Sequence, residues 1–318
     1  MSAIRIEALH KHYGAVRALD GLTLTVEEKT IFGFLGPNGA GKSTTLRLLT
    51  GLAHPTSGQA WVAGCEISDS QKVAARIGYL PEEPAFYAWM TPVEFLEHVG
   101  SLFGLSGAER KRRTLELLEQ VGLAQVKKRR IGGFSRGMRQ RLGLAQALVN
   151  RPEVLFLDEP VSALDPAGRK EVLDMIERLR GASTVFMSTH ILADVERVCD
   201  SVGIIDHGKL VVEARQSELL AQYTIPAFEL ECEPADRAAF ESWVKNLPSQ
   251  PWASTAVLNG DVARIIVKDM AVAQVELLAQ AAQSRLRLRR YEVVTPSLED
   301  IFLRLVGDDR SGAQGRPA

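Results

Sequence analysis

Residues 31–52 read IFGFLGPNGAGKSTTLRLLTGL, an apolar run that meets a glycine-rich turn and then an amphipathic segment. Gly36, four intervening residues, Gly41, Lys42 and Ser43 satisfy the pattern G-x-x-x-x-G-K-[ST] without a mismatch. The pattern predicts a buried strand over 31–35, a phosphate-binding loop Gly36-Pro37-Asn38-Gly39-Ala40-Gly41, and a helix over 43–49 that stops at Gly51. Glycines let backbone N–H groups converge on phosphate oxygens without Cβ obstruction, and the helix start aims the positive end of its dipole at them. Lys42 is placed to reach the outer phosphates, and the Ser43 hydroxyl is a candidate Mg2+ ligand with Thr44 beside it in the same turn.

A phosphate loop says nucleotide without saying task. The second element is Val154-Leu155-Phe156-Leu157-Asp158-Glu159, an apolar strand ending in two acids. Hydrolysis of a phosphoanhydride needs a metal partner and a base that polarises the attacking water. Asp158 is the candidate for the metal, with Ser43, and Glu159 the candidate general base. Paired acids at a strand end are otherwise a solvated turn, so this reading depends on the phosphate loop.

Outward from these, residues 4–30 read as short antiparallel strands, with Leu22, Leu24 and Val26 alternating against Thr23, Thr25 and Glu27 and Tyr13 in a connecting loop. Strands are expected at 59–62 and 77–80. From Glu82 to about residue 150 the pattern turns helical: Thr91-Pro92-Val93-Glu94 is a capping box, and Ser106-Gly107-Ala108-Glu109 opens a second helix. A long helix is predicted over 139–149, then a strand at 154–157, a helix opened by Asp165-Pro166, a strand at 184–188, a helix over 191–198 and a hairpin near His207-Gly208. Strands alternating with helices imply a mainly parallel sheet. The chain then starts afresh near Pro226 with a βαββαβ order, turning at Asn259-Gly260, which is the split ferredoxin-like motif. A last helix is expected from Ser297, with disorder over 309–318.

The third element, Phe134-Ser135-Arg136-Gly137-Met138, lies between the phosphate loop and the acidic strand. Here the chain resembles the ATP-binding-cassette (ABC) ATPases, whose signature loop reads LSGGQ in that position. The resemblance covers residues 4 to about 222 and implies a fold: a P-loop cassette of the α/β class with a mainly parallel core sheet, an antiparallel β subdomain and a helical insertion over about 83–150. The domains are then 1–222, a cassette, and 226–308, a small α+β accessory domain resembling that of multidrug and antibiotic exporter cassettes. The resemblance also implies roles. Tyr13 stacks on adenine, Ser162-Ala163-Leu164-Asp165 is the D-loop, His190 is the switch histidine at the γ phosphate, and Glu82 stands where the Q-loop usually has glutamine, still able to bind magnesium or water. Read singly, His190 is a surface or capping residue and Tyr13 ordinary packing.

Ser135, Gly137 and the N–H groups at their helix start would form a second anion site. In this family it faces the phosphate loop of a second cassette, so that two ATP molecules are held between two chains. Arg136 and Met138 depart from the signature and replace glycine and glutamine. The implied partners are a second cassette and integral membrane permease subunits on separate chains, with the ATPase peripheral on the cytoplasmic face of the membrane and most consistent with export. A ribosome- or DNA-directed soluble ATPase and a nucleotide-gated binding module stay open as alternatives.

Composition agrees. The 318 residues carry a net charge of −1, which gives no global field for nucleic acid, and none is expected as a partner. Cys65, Cys199 and Cys232 are dispersed, without metal-ligand spacing, and read as small apolar residues in a reduced compartment. No apolar run approaches the ~18 residues needed to span a bilayer, so a membrane part would come from another chain. The aromatics Phe86, Tyr87, Trp89 and Phe95 read as insertion core, as a groove for a membrane subunit's helix, or both. Basic clusters at 110–113, 127–130 and 285–290 read as solvated faces. The C-terminal module holds no catalytic set, leaving regulation or dimer stabilisation.

Overall fold

A computed structural model describes residues 2–162, 164–223 and 226–294. Ala163 of the expected D-loop, the helix expected from Ser297 and the 309–318 tail lie outside the described residues. The chain divides into two compact units, the first reaching Ser217 and the second beginning at Glu218.

The first unit opens with two long strands, β1 (Ser2–Tyr13) and β2 (Val16–Glu27), paired antiparallel. Leu22, Leu24 and Val26 are buried and Thr23, Thr25 and Glu27 exposed, as read, but the strands are longer than the short ones expected, because bulges interrupt the β1–β2 register and spoil the alternation along β1. Ala8, at φ 44°, marks one such interruption. Tyr13 is the last residue of β1, opposite Val16, and not in a loop. Next come β3 (Ile31–Leu35), α1 (Lys42–Leu49), β4 (Ser57–Val62), β5 (Cys65–Glu66), α2 (Ser70–Arg76) and β6 (Ile77–Leu80). The insertion supplies α3 (Pro92–Leu102), α4 (Gly107–Gln120) and α5 (Arg136–Ala147). The core resumes with β7 (Val154–Asp158), α6 (Pro166–Glu177), β8 (Thr184–Thr189), α7 (Leu192–Val198), β9 (Ser201–Asp206) and β10 (Lys209–Arg215). The helix α8 (Gln216–Tyr223) follows.

Strands order as β10-β9-β3-β8-β7-β6 in a six-stranded sheet, parallel throughout except for β10 at the edge, and as β2-β1-β4-β5 in an antiparallel sheet. Every residue of β3, β7 and β8 is buried, as strands covered on both faces require. One cluster joins the two sheets and includes Ile4, Leu24, Phe32, Phe34, Phe156 and Phe186. The Phe186 ring lies 5.3 Å from Phe32, 5.2 Å from Phe34 and 5.8 Å from Phe156. Burying each such ring is worth about 1.5–3 kcal/mol, so this stack fixes β3, β7 and β8 side by side and aligns their C-terminal ends.

The insertion helices begin where capping chemistry dictates. Thr91 and Glu94 form the reciprocal capping box on α3, and Ser106 accepts from Glu109 N–H on α4. Helix α5 starts at Arg136, three residues earlier than expected, because Ser135 caps it by accepting from Met138 N–H and Gly137 is carried inside the first turn. Arg113 corrects the reading of its cluster as solvated. It is buried, donating to Leu148 O at 2.7 Å and to Glu116 at 2.8 Å.

The second unit contains β11 (Ala227–Cys232), α9 (Arg237–Asn246), β12 (Ala253–Asn259), β13 (Val262–Val267), α10 (Met270–Gln283) and β14 (Leu288–Val294). Its antiparallel sheet orders β12-β13-β11-β14, the order that the split βαββαβ motif produces. Phe228, Leu230, Phe240 and Ile265 fill its own core. Cys199 and Cys232 are buried and Cys65 half-buried, all three as free thiols, and burial pushes the Cys199 thiol up.

Candidate functional site

The C-terminal ends of β3, β7 and β8 meet at the loop between β3 and α1, as ligand sites in open parallel sheets do. Two loop glycines are required sterically. A Cβ on Gly36 would stand 2.3 Å from Ile205 O, and Gly41 adopts φ 113° with Ala18 O 2.7 Å from where its Cβ would be. Gly41 O accepts from both the N–H and the hydroxyl of Thr45, which anchors the helix start. Ala40 is buried, its carbonyl accepting from Gly208 N–H.

Lys42 is 6% exposed and folds back over the loop. Its Nζ donates to Gly36 O at 2.7 Å and Pro37 O at 3.3 Å, and lies 3.5 Å from Glu159 Oε1. Ser43 Oγ lies 3.2 Å from Asp158 Oδ1, at the end of β7. The same Asp158 oxygen accepts from Ser188 Oγ on β8 at 2.5 Å. Ser188 also holds the next residue, since Glu159 N–H donates to its carbonyl at 3.1 Å and to its hydroxyl at 3.3 Å. These bonds retain Glu159 at φ 47°, a conformation that costs a non-glycine residue about 1–2 kcal/mol. From this turn the Glu159 carboxylate meets His190. Both its oxygens lie 3.0 Å from His190 Nδ1. Against a carboxylate, which only accepts, Nδ1 is the donor and Nε2 remains for another partner.

A cavity of about 280 Å3 opens over this constellation. Pro37, Asn38, Gly39, Gly41, Lys42, Ser43 and Thr44 form its loop wall; Glu82, Glu159 and His190 close it opposite, and Val16, Arg17 and Ala18 of β2 complete it. The residues expected at a nucleotide thus divide into two sets. Lys42, Ser43, Asp158, Glu159 and His190 come together, with Glu82 at the rim. Tyr13 sits at the end of β1, 48% exposed, with Lys11 Nζ 4.7 Å above its ring, and only its cross-strand neighbour Val16 reaches the cavity wall. Ser135, Gly137 and Asp165 are not on the wall either. Ser135 caps α5 and Asp165 caps α6, accepting from Gly168 N–H at 3.2 Å.

The model of the ABC transporter family matches residues 19–162, and that of the DrrA1-3-like ATP-binding protein C-terminal domain matches residues 216–306. The ABC transporter ATP-binding protein YxlF of Bacillus subtilis is 42% identical over 95% of this chain and 99% of its own length. The chain belongs to the ABC transporter ATP-binding protein family. Within it, the C-terminal domain places this cassette ATPase in the DrrA-like branch. The daunorubicin resistance ATP-binding protein DrrA2 of Streptomyces coeruleorubidus is similar over 99% of this chain and 98% of its own, at 35% identity. Among solved structures, an ATP-binding subunit of an ABC transporter matches with a TM-score of 0.64 at 30% identity, covering 70% of this chain and 93% of that one.

Two parts of the cassette site escaped the sequence reading. Ser188, which holds both acids, sits in the buried strand β8 and has no linear signature; only its position beside the acidic strand in the sheet reveals it. Val16, Arg17 and Ala18 belong to a strand read as half-buried scaffold. No linear signal marks them, since Arg17 precedes Gly36 by 19 residues and reaches the loop only through the fold.

Proposed function

We propose that this cassette hydrolyses ATP to drive transport, most consistent with export, through separate transmembrane subunits, working as a pair of cassettes on the cytoplasmic face of the membrane. The observation that carries the hydrolytic part is the convergence of Lys42, Glu159 and His190 over the phosphate loop. Glu159 accepts the proton of the attacking water, His190 holds that carboxylate by Nδ1 and faces the γ phosphate, and Lys42 offsets the charge that develops there. The backbone N–H groups of the loop from Gly36 to Thr44 bind the phosphates.

The donor set fits magnesium: Ser43 Oγ and Asp158 Oδ1 are hard oxygen ligands 3.2 Å apart, with Glu82 on the same cavity wall. When bound, the ion neutralises phosphate charge. Tyr13 supplies a stacking face for adenine.

Pairing is supported by where the signature lies. Ser135, Gly137 and Asp165 are away from the cavity of their own chain, and the start of α5 offers N–H groups to an anion carried by a second copy. A membrane partner is supported by surface chemistry and by composition. Tyr87 and Trp89, 52% and 64% exposed with rings 5.9 Å apart, stand beside the inward pair Phe86 and Phe95, and among the described residues no helix is long and apolar enough to cross a membrane. We assign those two rings to the groove that grips a short helix of the membrane subunit. The relative from S. coeruleorubidus is named for daunorubicin resistance, which favours a drug-like cargo here.

The test is a mild-detergent pull-down of tagged Glu159→Gln protein, with and without ATP, followed by mass spectrometry. A stoichiometric polytopic membrane protein is expected. Ribosomal or DNA-associated proteins in its place would overturn the transport reading.

A further inference from the structure

We propose that His10, His12 and Asp20 form a site for a divalent transition-metal ion, best matched by Zn2+, separate from the nucleotide and its magnesium. One ligand atom from each of the three side chains lies within 4.8 Å of the other two. His10 and Asp20 are directly opposed in the β1–β2 ladder, with Nδ1 of His10 3.5 Å from Oδ1 of Asp20. His12 approaches from two residues along the same strand, its ring 6.2 Å from that of His10 and edge-on to it.

Ligands on a tetrahedral Zn2+ at 2.0–2.1 Å stand about 3.4 Å apart, so an exposed His12 needs only a side-chain rotation to complete the set. The His10 ring lies over Gly21, whose missing Cβ leaves it room, and its Nδ1 faces Asp20. Two imidazoles and one carboxylate suit zinc and its neighbours over magnesium or calcium.

The three ligands leave a fourth position for water. Lys209 competes, its Nζ 3.3 Å from the other oxygen of Asp20, but its side chain is 65% exposed and free to swing aside. A bound ion would clamp β1 to β2 two residues from Ala18, on the wall of the nucleotide cavity, and would stabilise the folded chain by linkage.

The experiment is Zn2+ titration calorimetry, with thermal melts, on untagged nucleotide-free protein. One Zn2+ per chain with a dissociation constant on the order of micromolar is expected, weakened at least about tenfold in His10→Ala and His12→Ala. Lys209→Ala should bind Zn2+ several-fold more tightly. Mg2+ at the same concentration should leave the melt unmoved. His12 is exposed, so His12→Ala should keep the wild-type circular dichroism and metal-free melting temperature. Absence of saturable Zn2+ binding would overturn the proposal, and so would wild-type affinity in His12→Ala, which would put the ion on other donors such as Cys65. Wild-type affinity in Asp20→Ala would remove Asp20 from the ligand set and with it the site as proposed.

Discussion

Nζ of Lys42 stands 3.5 Å from Oε1 of Glu159, with the two side chains 6% and 8% exposed. The cation of the phosphate loop and the anion of the acidic strand are thus one buried pair, shared with the carbonyls of Gly36 and Pro37. Removing Glu159 leaves the Lys42 cation with only neutral carbonyl partners, and removing Lys42 leaves the Glu159 carboxylate with His190 alone.

Lys42→Ala should therefore lose stability as well as nucleotide affinity. A cost of roughly 2–5 kcal/mol in denaturant unfolding is expected, partly recovered when Glu159→Gln is added, because the stranded charge is then gone. Strictly additive losses in the double variant would show that the two side chains are energetically independent.

Ser188→Ala removes a donor from Asp158 and an acceptor from Glu159 N–H at once. The expected loss is about 1–3 kcal/mol of stability, and kcat should fall further than ATP affinity, since the displaced groups are the acids and not the loop. Equal losses in both parameters would contradict a positioning role.

Asp194 on α7 is 1% exposed; Arg169 Nε reaches its Oδ1 at 2.6 Å, while its Oδ2 is buried with no hydrogen-bond partner. Burial pushes its carboxyl above the usual carboxylate range, against the opposing pull of Arg169. An acid whose folded pKa is raised contributes stability that is full below its unfolded pKa and is lost as pH rises through the folded one. Asp194→Asn should thus be more stable than the wild type near pH ~7, with the gap closing towards pH ~4. Urea midpoints across that range would check it, and a gap that widens on acidification would refute it.

If Tyr13 stacks on adenine, Tyr13→Ala should weaken ATP binding by about 1–3 kcal/mol while Tyr13→Trp keeps it. Fluorescent-nucleotide titration distinguishes this from a surface residue, for which both variants would bind as the wild type does.

What was legible in the chain was what runs along it. The phosphate loop is a contiguous motif whose glycines are each demanded by a local clash or a positive φ, so sequence alone located Lys42, Ser43 and the helix behind them. Caps are equally local, and Thr91, Ser106 and Asp165 open their helices as read. Contacts across the sheet were not legible. Ser188 is 30 residues from Asp158, and nothing along a buried strand that also carries Thr184 and Thr189 distinguishes the one side chain that holds two acids. Bulges in the β1–β2 ladder spoil the period of two along β1, which made long strands look short, while the alternation over 22–27 of β2 holds. Helix α5 was expected from Arg139, whereas Ser135 caps it and Gly137 falls inside its first turn. Tyr13 marks a limit of another kind: its role comes from resemblance, and its ring stands off the cavity wall that Val16 reaches.

The most direct measurement is phosphate release by Glu159→Gln beside the wild type, with the ATP-dependent oligomeric state followed by light scattering on the same samples. The account expects the wild type to turn over and the variant to bind ATP, lose at least about 100-fold in kcat and accumulate as an ATP-bound dimer. Undiminished turnover in the variant would contradict Glu159 as the base, and a variant that stays monomeric with ATP bound would contradict the paired cassette.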